Sequence, residues 1–427
     1  MTDLNELASP LAEPHAGDLQ GALTQLEAEA RVELNRICAW WTTQAPAPDS
    51  GFYGEISEAG VPDPEAPRSI ILITRLLWFF SSAFEATQHE ACGRQADRAY
   101  RVLLDQFLDP KTQTFIWMVS AGGKPLNARK QTYAQAFGIY ALAAYARAKQ
   151  SPAALACALK IFEQVQTHFM DPIHGGWLEA LGPNLEPIDD VRLSARDQNS
   201  PKSMNTHLHI LEAYTALSET LGHLEPDHPR FAAVRSAVET AFDIFNQHIV
   251  SPSKDRLGLF FDLDWTSQSS VRSFGHDIEA SWLLYEAALS LDTQTILRDA
   301  KQAALGLADG ARQGLSEHGG LYEEVGKDGH LSRLHVWWIQ AEALVGFLNA
   351  YAINRDPLFL TSAFDVWDFI KANQIDTQGG EWFELARLDN QTSKAGLMAG
   401  PWKCPYHTGR AMMETIRLCQ TLRATTP

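Results

Sequence analysis

Apolar residues recur at three- and four-residue intervals over most of the chain, the signature of amphipathic or buried helices. The pattern predicts twelve helices, near 19–41, 68–90, 92–108, 131–149, 152–170, 203–222, 229–248, 272–292, 294–308, 334–352, 354–373 and 405–424. Their connections alternate. Short turns follow the second, fourth, sixth, eighth and tenth helices, and long loops precede every even-numbered one. The loops resemble one another: GFYGEI from Gly51, FIWMVSAGG from Phe115, GGWLEAL from Gly175, LGLFFDLD from Leu257, GGLYEEV from Gly319 and GGEWFEL from Gly379. Each is a small-residue turn beside an aromatic, β-prone run. Copies fall about 60 residues apart, with one interval of about 80 mid-chain, a period that marks a repeat architecture.

Six helix pairs could stack as an open solenoid or close into a ring. A solenoid needs polar capping repeats, and the last helix does not read as one. The expectation is therefore an all-α fold, an (α/α)6 barrel of six inner and six outer helices, with long loops and short β-hairpins at its mouth. Residues 1–18 read as an N-terminal extension and 19–427 as one barrel domain. The linker around LGHLEPDHPR reads as long, and His223–Arg230 is expected on the short-turn side, away from any substrate.

The even helices carry the unusual chemistry, near their N-terminal ends. The second has Arg75 in an apolar run and the fourth has Tyr133. The sixth has Asn205, His207, His209 and Glu212; the eighth has His276, Asp277, Glu279 and Trp282. The tenth has Trp338 and Glu342, and the twelfth has Trp402, His407 and Arg410. If these helices form the inner ring, the groups meet at one mouth, and His209, His276 and His407 occupy equivalent positions. Asn205 and His209, His276 and Glu279, and Trp338 and Glu342 share helix faces by their spacing. His207 and His209 point to opposite sides, so the pair is a poor chelate. His207 reads as a hydrogen-bonded core histidine.

Composition narrows the chemistry. The 427 residues carry 52 acidic and 35 basic side chains, a net charge of −17, with no Lys/Arg-rich run. That disfavours nucleic-acid binding. The scattered Cys38, Cys92, Cys157, Cys404 and Cys419 suit neither a disulfide framework nor a zinc-thiolate site. The stretch Ile70 to Phe84, interrupted by Arg75, reads as too short for a membrane span. The N-terminus lacks a signal-peptide core. The expectation is a cytoplasmic protein, monomeric or weakly dimeric, that meets a small sugar and neither nucleic acid nor membrane. Aromatic side chains suit the C–H faces of pyranoses. Three histidines favour proton transfer beside a carbonyl. Glu279 and Glu342 leave glycoside hydrolysis open as a two-carboxylate alternative. A non-catalytic sugar-binding barrel would not need several buried imidazoles.

The strings KSMNTHLHILEAY, GHDIEASWLL, WWIQAEA and GPWKCPYH resemble the N-acylglucosamine 2-epimerase superfamily, and most of all its cellobiose 2-epimerase branch. The resemblance runs from Phe52 to the last helix. It implies an (α/α)6 barrel that needs no metal or other cofactor. It also implies reversible epimerisation at C2 of a reducing-end glucose, cellobiose to glucosyl-mannose or lactose to epilactose, through an enediolate. Mannose 2-epimerase, mannose isomerase and N-acylglucosamine 2-epimerase activities are the alternatives. His276 and His407 match the family's two acid/base histidines, and His209 a third active-site histidine. Arg75, Tyr133, Asn205, Glu279 and Glu342 match contacts to the reacting sugar, with Asp197 a weaker match. Trp338 and Trp402 match aromatic platforms, and Trp282 is counted with them at the substrate. His407 is followed by Thr408-Gly409 where the family more often has Asn-Ser or Asn-Gly.

Overall fold

The computed structural model describes residues 19–48, 51–388 and 396–425. The segment read as an N-terminal extension lies outside them. Among the described residues there are twelve helices: α1 (Leu19–Gln44), α2 (Ile70–Thr87), α3 (Glu90–Val102), α4 (Thr132–Lys149), α5 (Pro152–Gln164), α6 (Met204–Leu224), α7 (Phe231–Ile244), α8 (Phe274–Leu291), α9 (Gln294–Arg312), α10 (Trp337–Asn354), α11 (Pro357–Phe369) and α12 (Pro405–Thr425). Each matches one helix expected from periodicity. Four outer helices, α3, α5, α7 and α11, continue into a five-residue π-helical turn, which completes the longer spans read from the sequence.

The even helices touch in the cyclic order α2, α4, α6, α8, α10, α12 and back to α2, so the ring is closed. They are apolar almost all round; in α10, Ile339 to Tyr351 are all buried. A helix apolar on every side needs neighbours on every side. The outer helices give each inner one its remaining cover: α3 on α2, α5 on α4, α7 on α6, α9 on α8, α11 on α10, and α1 on α12. The last pairing joins the two ends of the described chain. α2 is long and apolar enough by composition to cross a membrane, contrary to the sequence reading. Here its faces are taken up by α3, α4 and α12.

A belt of short strands closes the same circle at the N-terminal ends of the inner helices. Each aromatic run pairs with residues just ahead of the preceding inner helix. Met118–Val119 pairs with Arg68–Ser69, Ala180–Leu181 with Lys130–Gln131, Phe260–Phe261 with Lys202–Ser203, and Glu324–Val325 with Arg272–Ser273. Leu385 bridges Val336, and Ile56 pairs with Ala399. The belt fixes where each inner helix starts, and serine caps sharpen three of those starts. Ser69 Oγ accepts from the Leu72 amide at 3.1 Å, Ser203 Oγ from Thr206 at 3.2 Å, and Ser273 Oγ from His276 at 3.5 Å. The long mid-chain interval divides between a turn at 225–230 after α6 and a wide loop at 182–201 before it. That loop, missed as the main insertion, lies at the mouth.

Candidate active site

Because the belt aligns the inner helices, equal positions along them lie at equal depth. A residue three further on sits about 4.5 Å deeper, at 1.5 Å of rise per residue. The second or third residue of five inner helices forms the top level: Tyr133, Asn205, His276, Trp338 and His407. The sixth residue forms the next: Arg75, Phe137, His209, Glu279, Glu342 and Arg410. The ninth forms a third: Trp78, Tyr140, Glu212 and Trp282. His276 and His407 are thus level, while His209 lies a turn deeper. The three were expected at equivalent positions; helix counting from the observed starts corrects that.

At the top level the Trp338 ring sits between two imidazoles, with centroids 4.8 Å from His276 and 5.6 Å from His407. His407 Nδ1 lies 2.6 Å from Glu342 Oε1. Burial opposes ionisation of Glu342, but Arg410 and His407 outweigh it and hold its carboxyl well below the usual range. An ionised Glu342 can only accept, so His407 donates from Nδ1 and keeps a bare Nε2. Burial pushes the His407 imidazole down to about 3 against the pull of Glu342, so it rests neutral. His276 Nδ1 lies 2.8 Å from Ser273 Oγ, whose hydroxyl can donate to it while its oxygen caps the helix. That arrangement leaves the proton on Nε2. Desolvation brings this imidazole down to about 4.

His209 repeats the His407 device one turn lower: its Nδ1 is 2.9 Å from Glu212 Oε2. Burial lowers its imidazole too. Arg75 donates from Nη2 to the Tyr133 hydroxyl at 2.8 Å, and its guanidinium lies 4.5 Å from the Phe137 centroid and 4.7 Å from that of Tyr406. Its Nε is buried without a protein partner. Trp402 packs beside Tyr133 at 5.9 Å and Trp117 at 6.3 Å, roofing this side. Toward solvent, a cleft of about 470 Å³ runs from His276 and Asn205 past Asp197. Asp197 Oδ2 also accepts from the Ser194 amide at 2.7 Å, which shapes the 182–201 loop.

Arg410 is the hub that residue-by-residue matching missed. Its guanidinium bonds Glu279 at 2.8 Å, Glu342 at 2.7 Å, and Glu212. Tyr406 donates to Glu212 at 2.6 Å. Glu279, Glu342 and His407 offer ligand atoms within 4.8 Å of one another, a metal-type grouping absent from the sequence reading. Arg410 already supplies the positive charge those carboxylates need. Burial and the neighbouring Glu342 push Glu279 up, with Arg410 partly offsetting. Trp282 donates to Glu342 at 3.0 Å and lies 4.7 Å from the Arg410 guanidinium. It therefore supports His407's partner from the third level, two turns below the position expected of a sugar platform. Spacing held the clue to the missed residues: Arg410 is three after His407 and Glu212 three after His209.

His207 faces away, as read. Its Nδ1 donates to the Ser203 carbonyl at 2.7 Å, and its Nε2 accepts from the Trp177 amide at 3.0 Å. Thr408 is fully buried and its hydroxyl has no protein partner, so its departure from the family pattern is internal. Gly409 leaves room for the Phe79 ring, where a Cβ would collide.

The N-acylglucosamine 2-epimerase (GlcNAc 2-epimerase) family model matches residues 51–411. A cellobiose 2-epimerase of Bacteroides fragilis is 37% identical over 394 residues, covering 92% of this chain and 98% of that relative. One of Ruminococcus albus is 34% identical over 390 residues, covering 91% and 97%. The structure of cellobiose 2-epimerase from Spirochaeta thermophila superposes with a TM-score of 0.86 at 37% identity, covering 96% of this chain and 100% of that one. With its closed ring of six inner helices and its paired imidazoles, the chain belongs to the N-acylglucosamine 2-epimerase family.

Proposed function

We propose that the protein reversibly epimerises C2 of the reducing-end glucose in β-1,4-linked disaccharides such as cellobiose and lactose. The observation that carries this reading is the pair of imidazoles on either side of Trp338, one with a bare Nε2 and one able to hold its proton there. The sugar ring opens to the aldehyde. The bare Nε2 of His407 takes the C2 proton, giving an enediolate whose oxygens accept from Arg75. Rotation about C2–C3 presents the other face, and His276 gives its Nε2 proton there. The proton on His407 passes to solvent and solvent reprotonates His276, which resets both imidazoles. The reverse reaction runs the same transfers backward, from His276 bare at Nε2 and His407 protonated there. His209 lies a turn below, within reach of the ring oxygen or O1 for ring opening. Trp402 stacks on the non-reducing unit, and the cleft past Asp197 gives that unit room. The protein works as a monomer or weak dimer in the cytoplasm.

The test is product analysis by NMR after incubation with cellobiose, mannose or N-acetylmannosamine. Cellobiose should yield glucosyl-mannose with a higher kcat/KM than free mannose shows. Equal or faster turnover of mannose, or fructose as the main product, would favour a mannose epimerase or isomerase instead.

A further inference from the structure

Three carboxyls and two guanidiniums share the interior beneath the upper histidines. Glu212 of α6, Glu279 of α8 and Glu342 of α10 are all buried, and so are Arg75 of α2 and Arg410 of α12. His209, His276 and His407 rest neutral, and the ionisable groups that α4 adds are the phenols of Tyr133 and Tyr140. Past Arg410, around a cavity at the end of the barrel away from the loops, Glu85, Glu219, Glu286 and Glu414 face Arg147 and Arg417. Carboxyls outnumber guanidiniums there too, so that end supplies no spare positive charge.

An uncompensated charge at this depth is costly, so one of the three inner carboxyls keeps its proton. Hydrogen bonds choose which. Glu342 accepts from His407, Arg410 and Trp282, and Glu212 from His209, Arg410 and Tyr406. Each such donor favours the ionised form. Glu279 has one, Arg410 Nη2 at 2.8 Å from its Oε1, and the same nitrogen holds Glu342 Oε1 at 2.7 Å. Two carboxyls crowded onto one nitrogen release their second proton reluctantly. Burial first, and Glu342 second, raise the Glu279 carboxyl accordingly. Its other oxygen, Oε2, has no protein partner among the described residues and, unlike Arg75 Nε, is not sealed from contact. It sits one turn below His276 on the same helix.

We infer that Glu279 works as a neutral carboxylic acid, its Oε1 accepting from Arg410 and its Oε2–H donating to an oxygen of the reacting sugar. The charge state follows from the cluster alone; the sugar as recipient rests on the epimerase reading proposed above. An ionised Glu279 would repel an enediolate, whereas the acid stabilises it without giving up its proton.

Infrared difference spectroscopy of the full chain at neutral pH, wild type minus Glu279→Gln, reads the charge state without substrate. It should show the carbonyl stretch of an un-ionised carboxylic acid, shifted in D2O. Kinetics on whichever sugar is turned over read the donor. Gln offers a carbonyl to Arg410 and an NH2 in place of Oε2–H, so Glu279→Gln should keep kcat within about tenfold of wild type. Glu279→Met, similar in length but with no donor, should lose about 10²–10³-fold, as when an oxyanion donor is removed. Absence of the acid band overturns the inference whatever reaction the enzyme runs. A loss of about 10²-fold or more in Glu279→Gln overturns the donor role, and it can be read even if Glu279→Met folds poorly. A failed epimerase reading shows differently, as an acid band present with no C2 product from cellobiose.

Discussion

Glu342 reaches from α10 to hold His407 of α12 by Nδ1, 2.6 Å from its Oε1, so the reactive nitrogen of one helix is set by a carboxylate of its neighbour. Glu342 itself is held by Arg410 at 2.7 Å and Trp282 at 3.0 Å. The His407 imidazole is thus held through a chain of three residues, Glu342, Arg410 and Trp282.

Replacing Glu342 by Gln should therefore disable chemistry more than binding. An amide can turn its NH2 toward Nδ1 and move the imidazole proton to Nε2. The expected loss is about 10²–10⁴-fold in kcat with KM little changed, by analogy with other histidines given the wrong tautomer. Steady-state kinetics with far-UV circular dichroism checks it. Wild-type kcat in Glu342→Gln would remove Glu342 from the orienting role.

His276 and His407 should each be needed for proton transfer at C2. Alanine at either should lower kcat by about 10²–10⁴-fold, the usual worth of a positioned acid or base. Product formed in D2O by the wild type should carry deuterium at C2, read by NMR. Product free of C2 deuterium would mean that the hydrogen never leaves for a solvent-exchanging group.

Chelation should leave activity intact. Glu279, Glu342 and His407 form a metal-type cluster, but Arg410 already bonds both carboxylates. Turnover after exhaustive EDTA treatment should match the untreated enzyme. Loss of activity restored by one divalent ion would show that a cation and Arg410 share the cluster.

Stability should carry the mark of neutral buried histidines. Burial brings His207 down to about 4, from an ordinary value near 6.5. Between those pH values the unfolded chain binds more protons than the folded one, so this contribution is complete above pH 6.5 and is lost as pH falls toward 4. His207→Gln should cost about 1–3 kcal/mol at pH 7.5. Over pH 6.5 to 4.5 its stability should fall less steeply than that of wild type, by up to about 1.4 kcal/mol per unit. Urea midpoints at several pH values measure this; parallel curves would mean that His207 titrates normally when folded.

The periodicity made the helices legible because burial on every side of the inner ring leaves a strong apolar signal, and the loop repeats made their grouping legible. Their ends were less so. Gln88, Gln150 and Arg355 terminate α2, α4 and α10 with left-handed backbone, at φ of 57°, 50° and 60°, and none is the glycine that marks such stops. The π turns likewise use ordinary residues, since what selects them is the strand pairing that follows. In the site, single residues were legible and their mutual contacts were not. Glu279 and Glu342 read as sugar contacts because nothing local reveals that a guanidinium 131 and 68 residues away joins them. Depth was the other hidden quantity. Trp282 shares a face with Glu279, but one turn further from the mouth, so it lies beneath the residues it was grouped with.

The pairing of α1 with α12 also bears on when the site can exist during synthesis. His407 and Arg410 belong to the helix made after the other eleven, and that helix fills the gap between α10, α2 and α1. Until it arrives, a nascent chain has five inner helices, the buried carboxylates Glu212, Glu279 and Glu342 without their common cation, and His276 without its counterpart. Assembly of this cluster is therefore gated by the docking of one late element into an otherwise open ring.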